Sequence, residues 1–363
     1  MNFDDRYGTL DRLLYRIAFR VGTAQHALSD VEETVYADQL EGIAAEDPVF
    51  ITALPRSGTT ILLKLFWQTG HFATHTYRDM PFVLCPLTWG RYSKYFSEEI
   101  ESTERAHGDG LEVSGNSPEA FEEMIWKHFW PEHYKEDRIQ PWRSDDQNEE
   151  FNSFFSTHMR KIIALRREES TVGEWPDQLR YLSKNNLNIA RLKVPPEPLQ
   201  AGTFVIPFRD PLQQAASMKR QHERFSKIHE EDDFVREYME AIGHHEFGKG
   251  IKPVDFNGWL NEEPGSPENL AFWVRYWTAG YQYILENVSE ETVLISYDSL
   301  TEMPGPTLSR LAETLGIPTE DLVPLATELR PPRSHSVDRE AVTRSLYQRA
   351  ERTYENLKGQ SSI

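Results

Sequence analysis

The sequence is short of three things. Its 363 residues include one cysteine, Cys85, which excludes an intramolecular disulfide or a thiolate metal cluster and suits a reducing compartment. No apolar run approaches the roughly 20 residues that a membrane span requires. Met1 to Gly8 is polar and lacks the apolar core of a signal peptide, so the expected location is the cytoplasm. Positive charge is also scarce: 39 Lys+Arg stand against 58 Asp+Glu, a formal net charge of −19. Nucleic acids and anionic membranes are bound by clustered cations, so neither is an expected partner. Aromatic side chains, by contrast, are plentiful. Nine Trp, fifteen Tyr and nineteen Phe supply large surfaces to bury, which excludes a disordered acidic chain.

Apolar positions at Leu10, Leu13, Leu14, Ile17, Ala18 and Val21 recur at helical spacing. The acidic stretch Asp30–Glu33 favours core packing of that stripe over contact with a membrane. A buried strand is predicted at Pro48–Leu54, followed by the turn Pro55–Thr60 and an apolar helix at Ile61–Trp67. A second strand, Thr203–Phe208, leads through Asp210 as N-cap and Pro211 as first helical residue into a helix to about Phe225. A third, Thr292–Tyr297, precedes a helix near Pro306–Leu315 that stops at Gly316. Short apolar strands alternating with helices predict an α/β fold with a central parallel sheet flanked by helices. All 363 residues read as one domain, in which the acidic, His- and Gly-bearing stretch 226–268 is an insertion or lid.

The first strand–turn–helix carries chemistry. Gly58 frees the backbone to turn and lets an anion approach the amides of Ser57 to Thr60, where the helix dipole favours negative charge. Ser57, Thr59 and Thr60 add hydroxyl donors, and Arg56 adds a planar cation able to grip two oxygens. A plain turn with Thr59 and Thr60 capping the helix is the bland alternative. A Walker loop is excluded, because its Lys directly before Ser/Thr is missing. Pro55-Arg-Ser-Gly-Thr-Thr60 resembles the 5′-phosphosulfate loop of sulfotransferases, P-[KR]-[ST]-G-T-T, and most of all its Arg-bearing branch, which includes tyrosylprotein and many bacterial enzymes.

A second element agrees with the first. Arg209 ends a predicted strand, and Ser217 lies eight residues on, in the second turn of the next helix. Read without the first loop, this is an ordinary capped helix with a polar Ser. Sulfotransferases carry an Arg at a strand end, often RDP, with a Ser eight residues later, where the pair binds the 3′-phosphate that ATP lacks. Tyr297-Asp-Ser-Leu300, Pro304 and Leu308–Gly316 resemble a further family segment in which a Tyr contacts the nucleotide. Pro331-Pro-Arg-Ser-His-Ser336 resembles the loop that closes over it. The resemblance covers about residues 48–80 and 180–336. It implies a sulfotransferase fold with Arg56, Ser57, Gly58, Thr59, Thr60, Arg209, Ser217 and Tyr297 holding 3′-phosphoadenosine 5′-phosphosulfate (PAPS) as donor, 3′-phosphoadenosine 5′-phosphate (PAP) as product, and no metal. It is silent on the acceptor. The charge balance disfavours a large polyanionic acceptor and leaves small neutral or cationic ones.

Sulfuryl transfer needs stabilisation of charge on the leaving phosphate and a base for the acceptor proton. Arg56 is placed for the first, acting electrostatically because its pKa is too high for proton donation. For the second, the family uses either a His after a central strand or a carboxylate after the first helix. Lys184-Asn-Asn-Leu-Asn188 stands where the His is expected, and it has none. Asp79, 23 residues beyond Arg56, is therefore the expected base, with a loop cap or an ion pair to Arg78 as the plainer reading. Lys184 is either a second charge stabiliser or a surface residue. The segment Ser117–Trp130 competes. It reads as a helix capped by Ser117, with His128 on its apolar face and with only one of the adjacent Glu122 and Glu123 able to face inward. His229, His244 and His245 match no ligand spacing, and His245-Glu246 lacks the second His of HExxH, so these are expected to be solvated. Two other functions fit parts of the pattern: a P-loop nucleotide kinase, and a nucleotide-binding scaffold without activity, the latter kept alive by the absent His.

Overall fold

The computed structural model describes residues 9–96, 103–104, 112–113, 115–169, 179–331 and 334–361. Five parallel strands form its main sheet: β1 (Val49–Ile51), β2 (Phe72–Ala73), β3 (Arg180–Lys184), β4 (Thr203–Phe208) and β5 (Thr292–Ser296). Their spatial order is β2-β3-β1-β4-β5. The chain first builds to one side of β1 and then crosses to the other, so the strand order reverses at β1 and β4. In open α/β sheets that is where a crevice opens beyond the carboxyl ends of the strands.

Both faces of the sheet are covered, which is why its strands read as apolar runs with little alternation. Val49, Ile51, Leu182, Val205, Val293 and Ile295 project to one face. There they pack with Leu62, Leu63, Leu65 and Phe66 of α1 (Thr59–Gln68) and with Leu308, Leu311 and Leu315 from the helix Pro304–Leu315. Phe50, Tyr181, Phe204, Ile206 and Phe208 take the other face. They meet Leu212 and Ala215 of α2 (Pro211–Glu231) and Trp277 and Tyr281 of α3 (Leu270–Asn287). The result is the three-layer α/β arrangement that the strand–helix alternation predicts. No described helix is long and apolar enough to cross a membrane.

Four local expectations are corrected. The N-terminal stripe is only partly covered: Ala18 is buried, but Leu13 and Ile17 are exposed. The competing helix begins at Glu123, with Glu122 and not Ser117 at its N-cap. Residues 115–119 instead lie along the 75–78 segment, with Tyr77 N donating to Ser117 O at 3.2 Å and Glu119 N donating to His75 O at 3.0 Å. Those tertiary hydrogen bonds displace the local cap. The His residues of 226–268 are not all solvated either. His229 accepts from Lys249 N at 3.2 Å, His245 bonds Gly250 O at 3.3 Å, and both are buried. The helix predicted to end near Phe225 continues to Glu231, after which Asp232 caps a further helix, Asp233–Ala241. Phe234, Val235, Tyr238, Met239, Phe247 and Phe256 of this stretch are buried in the same core as the sheet face of Phe50.

Candidate active site

β1 ends at Ile51, and the chain turns through Thr52–Gly58 before α1 begins. Two residues in the turn have positive φ, Arg56 at 70° and Gly58 at 110°. The left-handed value at Arg56 costs on the order of 1–3 kcal/mol and is held by its surroundings. Gly58 is obligatory twice over. Its φ disfavours any side chain, and a Cβ there would sit 2.4 Å from Cδ2 of Tyr297. The turn thus presents the N-terminal amides of α1, which have no partner inside the helix, to the crevice.

The hydroxyls of the loop are positioned from other strands. Asn186, just past β3, accepts from Thr59 Oγ1 at 3.3 Å through its side chain and from Thr52 Oγ1 at 3.2 Å through its carbonyl. Ser57 is fully buried, and its Oγ makes no hydrogen bond of good geometry although the Tyr281 hydroxyl lies beside it. An orphaned donor at this point suits an incoming acceptor oxygen. Thr60 follows Thr59 in the first turn of α1 and is half-buried.

Sequence reasoning missed the brace beneath the loop. Gln214 is buried and donates to Leu54 O at 3.2 Å and Pro55 O at 3.0 Å. It accepts in turn from Trp277 Nε1 at 2.9 Å and Tyr281 OH at 3.2 Å. A glutamine in an amphipathic helix carries no signal of this kind until the helix is docked.

The second element meets the first. Asp210 caps α2, accepting from Gln213 N at 2.8 Å, as its place before Pro211 predicts. That registers Ser217 toward the loop, where it accepts from Arg56 Nε at 3.2 Å across 161 residues of sequence. Arg209 is buried at the end of β4. Burial lowers its guanidinium pKa, and Tyr297, Asp298, Asp210 and Tyr354 oppose that shift. Tyr297 lies over Gly58, and its hydroxyl donates to Arg330 O at 3.4 Å. Burial raises its phenol, while Arg209 and Arg56 pull it down. Arg56, Ser57, Gly58, Thr59, Arg209, Ser217 and Tyr297 therefore form one cationic, donor-rich cradle at the carboxyl ends of β1 and β4.

Of the 331–336 segment, residues 332 and 333 lie outside the described residues. His335 pairs with Gln213 in both directions, at 2.7 and 3.2 Å, which docks this piece of chain on α2. A cavity of ≈ 450 Å³ lies there, between His335, Ser336, Ala216, Lys219, Arg220 and Leu270.

Asp79 is not placed as a base. It is buried at the end of a 3-10 turn, where it accepts from Thr76 N at 2.8 Å, Arg166 Nη2 at 2.6 Å and His75 Nδ1 at 3.3 Å. Burial pushes its pKa up, but the Arg166 charge and His75 outweigh it and hold the carboxyl well below the usual range. A carboxylate so stabilised is a weak proton acceptor. The plainer reading of a cap with an ion pair is the one found, with Arg166 in place of Arg78.

Glu122 and Glu123 are both buried, against the expectation that only one faces inward. Glu122 stands at the N-cap in helical conformation, so its carboxylate reaches along the helix to Trp126 as well as across to β3 and the turn after it. It accepts from Trp126 Nε1 at 2.9 Å, Tyr181 OH and Asn188 Nδ2 at 3.2 Å, and Asn185 Nδ2 at 3.3 Å. Glu123 pairs bidentately with Arg191 at 2.9 and 3.1 Å and also takes Asn185 Nδ2 and Tyr134 OH. Arg191 is itself sandwiched between Trp126 and Trp142, 3.7 and 4.3 Å from the ring centres. Both carboxylates are saturated. His128 is half-buried and bonds His26 at 3.2 Å. Lys184 ends β3 opposite Ile51, buried and close to the loop.

No family model and no curated protein matches the chain. Among solved structures, it aligns with a sulfotransferase from Mycobacterium tuberculosis H37Rv at 14% identity, over 92% of this chain and 81% of that one, with a TM-score of 0.39. A sulfotransferase from Mycobacterium avium aligns at 12% identity over 91% and 82%, with a TM-score of 0.48. Retinol dehydratase in a complex with retinol and PAP aligns at 12% identity over 90% and 87%, with a TM-score of 0.32. Likeness at this level carries no function, which has to come from the cradle itself.

Proposed function

We propose that this chain is a sulfotransferase that moves a sulfuryl group from PAPS to a hydroxyl, less readily an amine, of a small neutral or cationic acceptor, releasing PAP. The observation that carries this reading is the Arg56 Nε–Ser217 Oγ hydrogen bond. It joins two separately encoded anion-binding elements into one site, where Arg209, a further buried cation, faces a second phosphate that ATP does not have. The orphaned Ser57 Oγ, the side-chain-free approach at Gly58 and the amides of α1 fit the 5′-phosphosulfate. Ser217, Arg209 and Tyr297 fit the 3′-phosphate and nucleotide. Arg56 stabilises the charge that develops on the leaving 5′-phosphate oxygen.

Neither a nucleic acid nor a membrane is a partner in this reading. The single, buried Cys85 accords with action in the cytoplasm. Calorimetry with PAP and with ATP tests the donor. PAP is expected to bind at least about 30-fold more tightly, since a buried charge-assisted contact is worth about 2–5 kcal/mol. Tighter ATP binding would favour a nucleotide kinase, and binding of neither would favour a scaffold without this nucleotide chemistry.

A further inference from the structure

Resting on the sulfotransferase reading, we propose that Glu246, carried into the site by the 226–268 segment, is the proton acceptor of the transfer, with Asn186 as the residue that positions it. Asn186 bridges two groups. Its Oδ1 accepts from Thr59 Oγ1 at 3.3 Å, and its Nδ2 donates to Glu246 Oε1 at 3.2 Å. Adding the width of one amide, the carboxylate and the loop hydroxyl are at most about 9 Å apart. That span accommodates a sulfuryl group at the loop and an acceptor oxygen beyond it, within hydrogen-bond reach of the carboxylate.

Among the described residues, the three carboxylates that the sequence put forward are already engaged. Asp79 is locked to Arg166 and His75, Glu123 to Arg191, and Glu122 is ringed by four donors. Glu246 is only half-buried, open enough to meet an acceptor. It is nevertheless held firmly, because both sequence neighbours are buried anchors. His245 bonds Gly250 O, and Phe247 packs beside Phe225 and Trp273. Gly248 N donates to His222 Nδ1 at 3.2 Å and pins the next residue. A rigid base on an element separate from the donor loop meets the geometric demand of an in-line displacement, in which the acceptor enters opposite the leaving phosphate.

The step balances as follows. A lone pair of the acceptor oxygen forms the new S–O bond. The bond between sulfur and the 5′-phosphate oxygen breaks, and its electron pair stays on that oxygen beside Arg56. The acceptor proton passes to Glu246 and leaves to solvent after product release.

Glu246→Gln in the full chain tests this. The amide keeps the side chain's shape and still accepts from Asn186. PAP affinity is expected within about twofold of the parent, while donor turnover with phenol falls about 100-fold or more. With 4-nitrophenol, at a pH where it is already ionised, the loss is under about tenfold, because no proton remains to be taken. Equal losses for the two acceptors, or phenol turnover like the parent's, overturn the assignment and leave the donor reading standing. A parent that binds PAP but transfers to neither phenol, nor 4-nitrophenol, nor water leaves a base nothing to do and overturns it as well. A parent that does not bind PAP defeats the donor reading itself.

Discussion

Replacing Asp79 by Asn separates a structural carboxylate from a catalytic one. In the parent, Asp79 neutralises Arg166, a buried guanidinium that otherwise keeps Glu169, the Thr76 hydroxyl at 3.3 Å and the Thr74 carbonyl at 2.9 Å. Removing one partner of a buried pair costs about 3–5 kcal/mol, because the other charge is left desolvated. The remaining contacts of Arg166 place the expected cost at the lower end, about 3 kcal/mol. At about 2.1 cal/mol/K of unfolding entropy per residue over 363 residues, that lowers Tm by about 4 °C. The pH dependence has a defined sign. Asp79 has a lowered pKa in the folded protein, so its stabilisation is complete above the unfolded carboxylate pKa and is lost as pH falls towards the folded value. Asp79→Asn should therefore narrow its stability gap to the parent as the medium is acidified. Calorimetric melts at neutral and acid pH, with PAP binding and turnover measured on the same preparation below Tm, make the check. An unchanged Tm together with abolished turnover would refute the structural reading and restore Asp79 as the base.

Arg209→Ala should weaken PAP about 100-fold and ATP by less than about threefold, since only PAP has a 3′-phosphate for that cation; equal losses in calorimetry would count against this role. Gly58→Ala should lower PAP affinity at least about tenfold and stability by about 1–3 kcal/mol, because φ of 110° is unfavourable for Ala and the new Cβ meets the Tyr297 ring. A combined Gly58→Ala/Tyr297→Ala variant removes the ring but not the backbone strain. PAP affinity equal to that of Tyr297→Ala alone would show the strain to be negligible.

Much of this was legible before any coordinates. Pro55–Thr60 names its own turn, because a Gly at that place, between an apolar strand and an apolar helix, has few other uses. β4 and the cap at Asp210 follow from apolar runs and from Pro at the first helical position, both strictly local preferences. The Arg209–Ser217 spacing set one helix face, and the helix delivered it. Where local signals failed, distant groups had won. Ser117 is a good cap by sequence, yet its segment pairs with residues 75–78. Asp79 has the right type and distance for a base, yet which cation would sit on it depended on Arg166, 87 residues away.

The sequence by itself determined the α/β class and the strand–turn–helix around Pro55–Thr60, because turn chemistry and hydrophobic period act over a few residues. Only the tertiary structure decided which carboxylate is available. Burial and partners depend on the whole packing: it sealed Asp79, Glu122 and Glu123 with donors from other elements and carried Glu246 to Asn186 from 60 residues away.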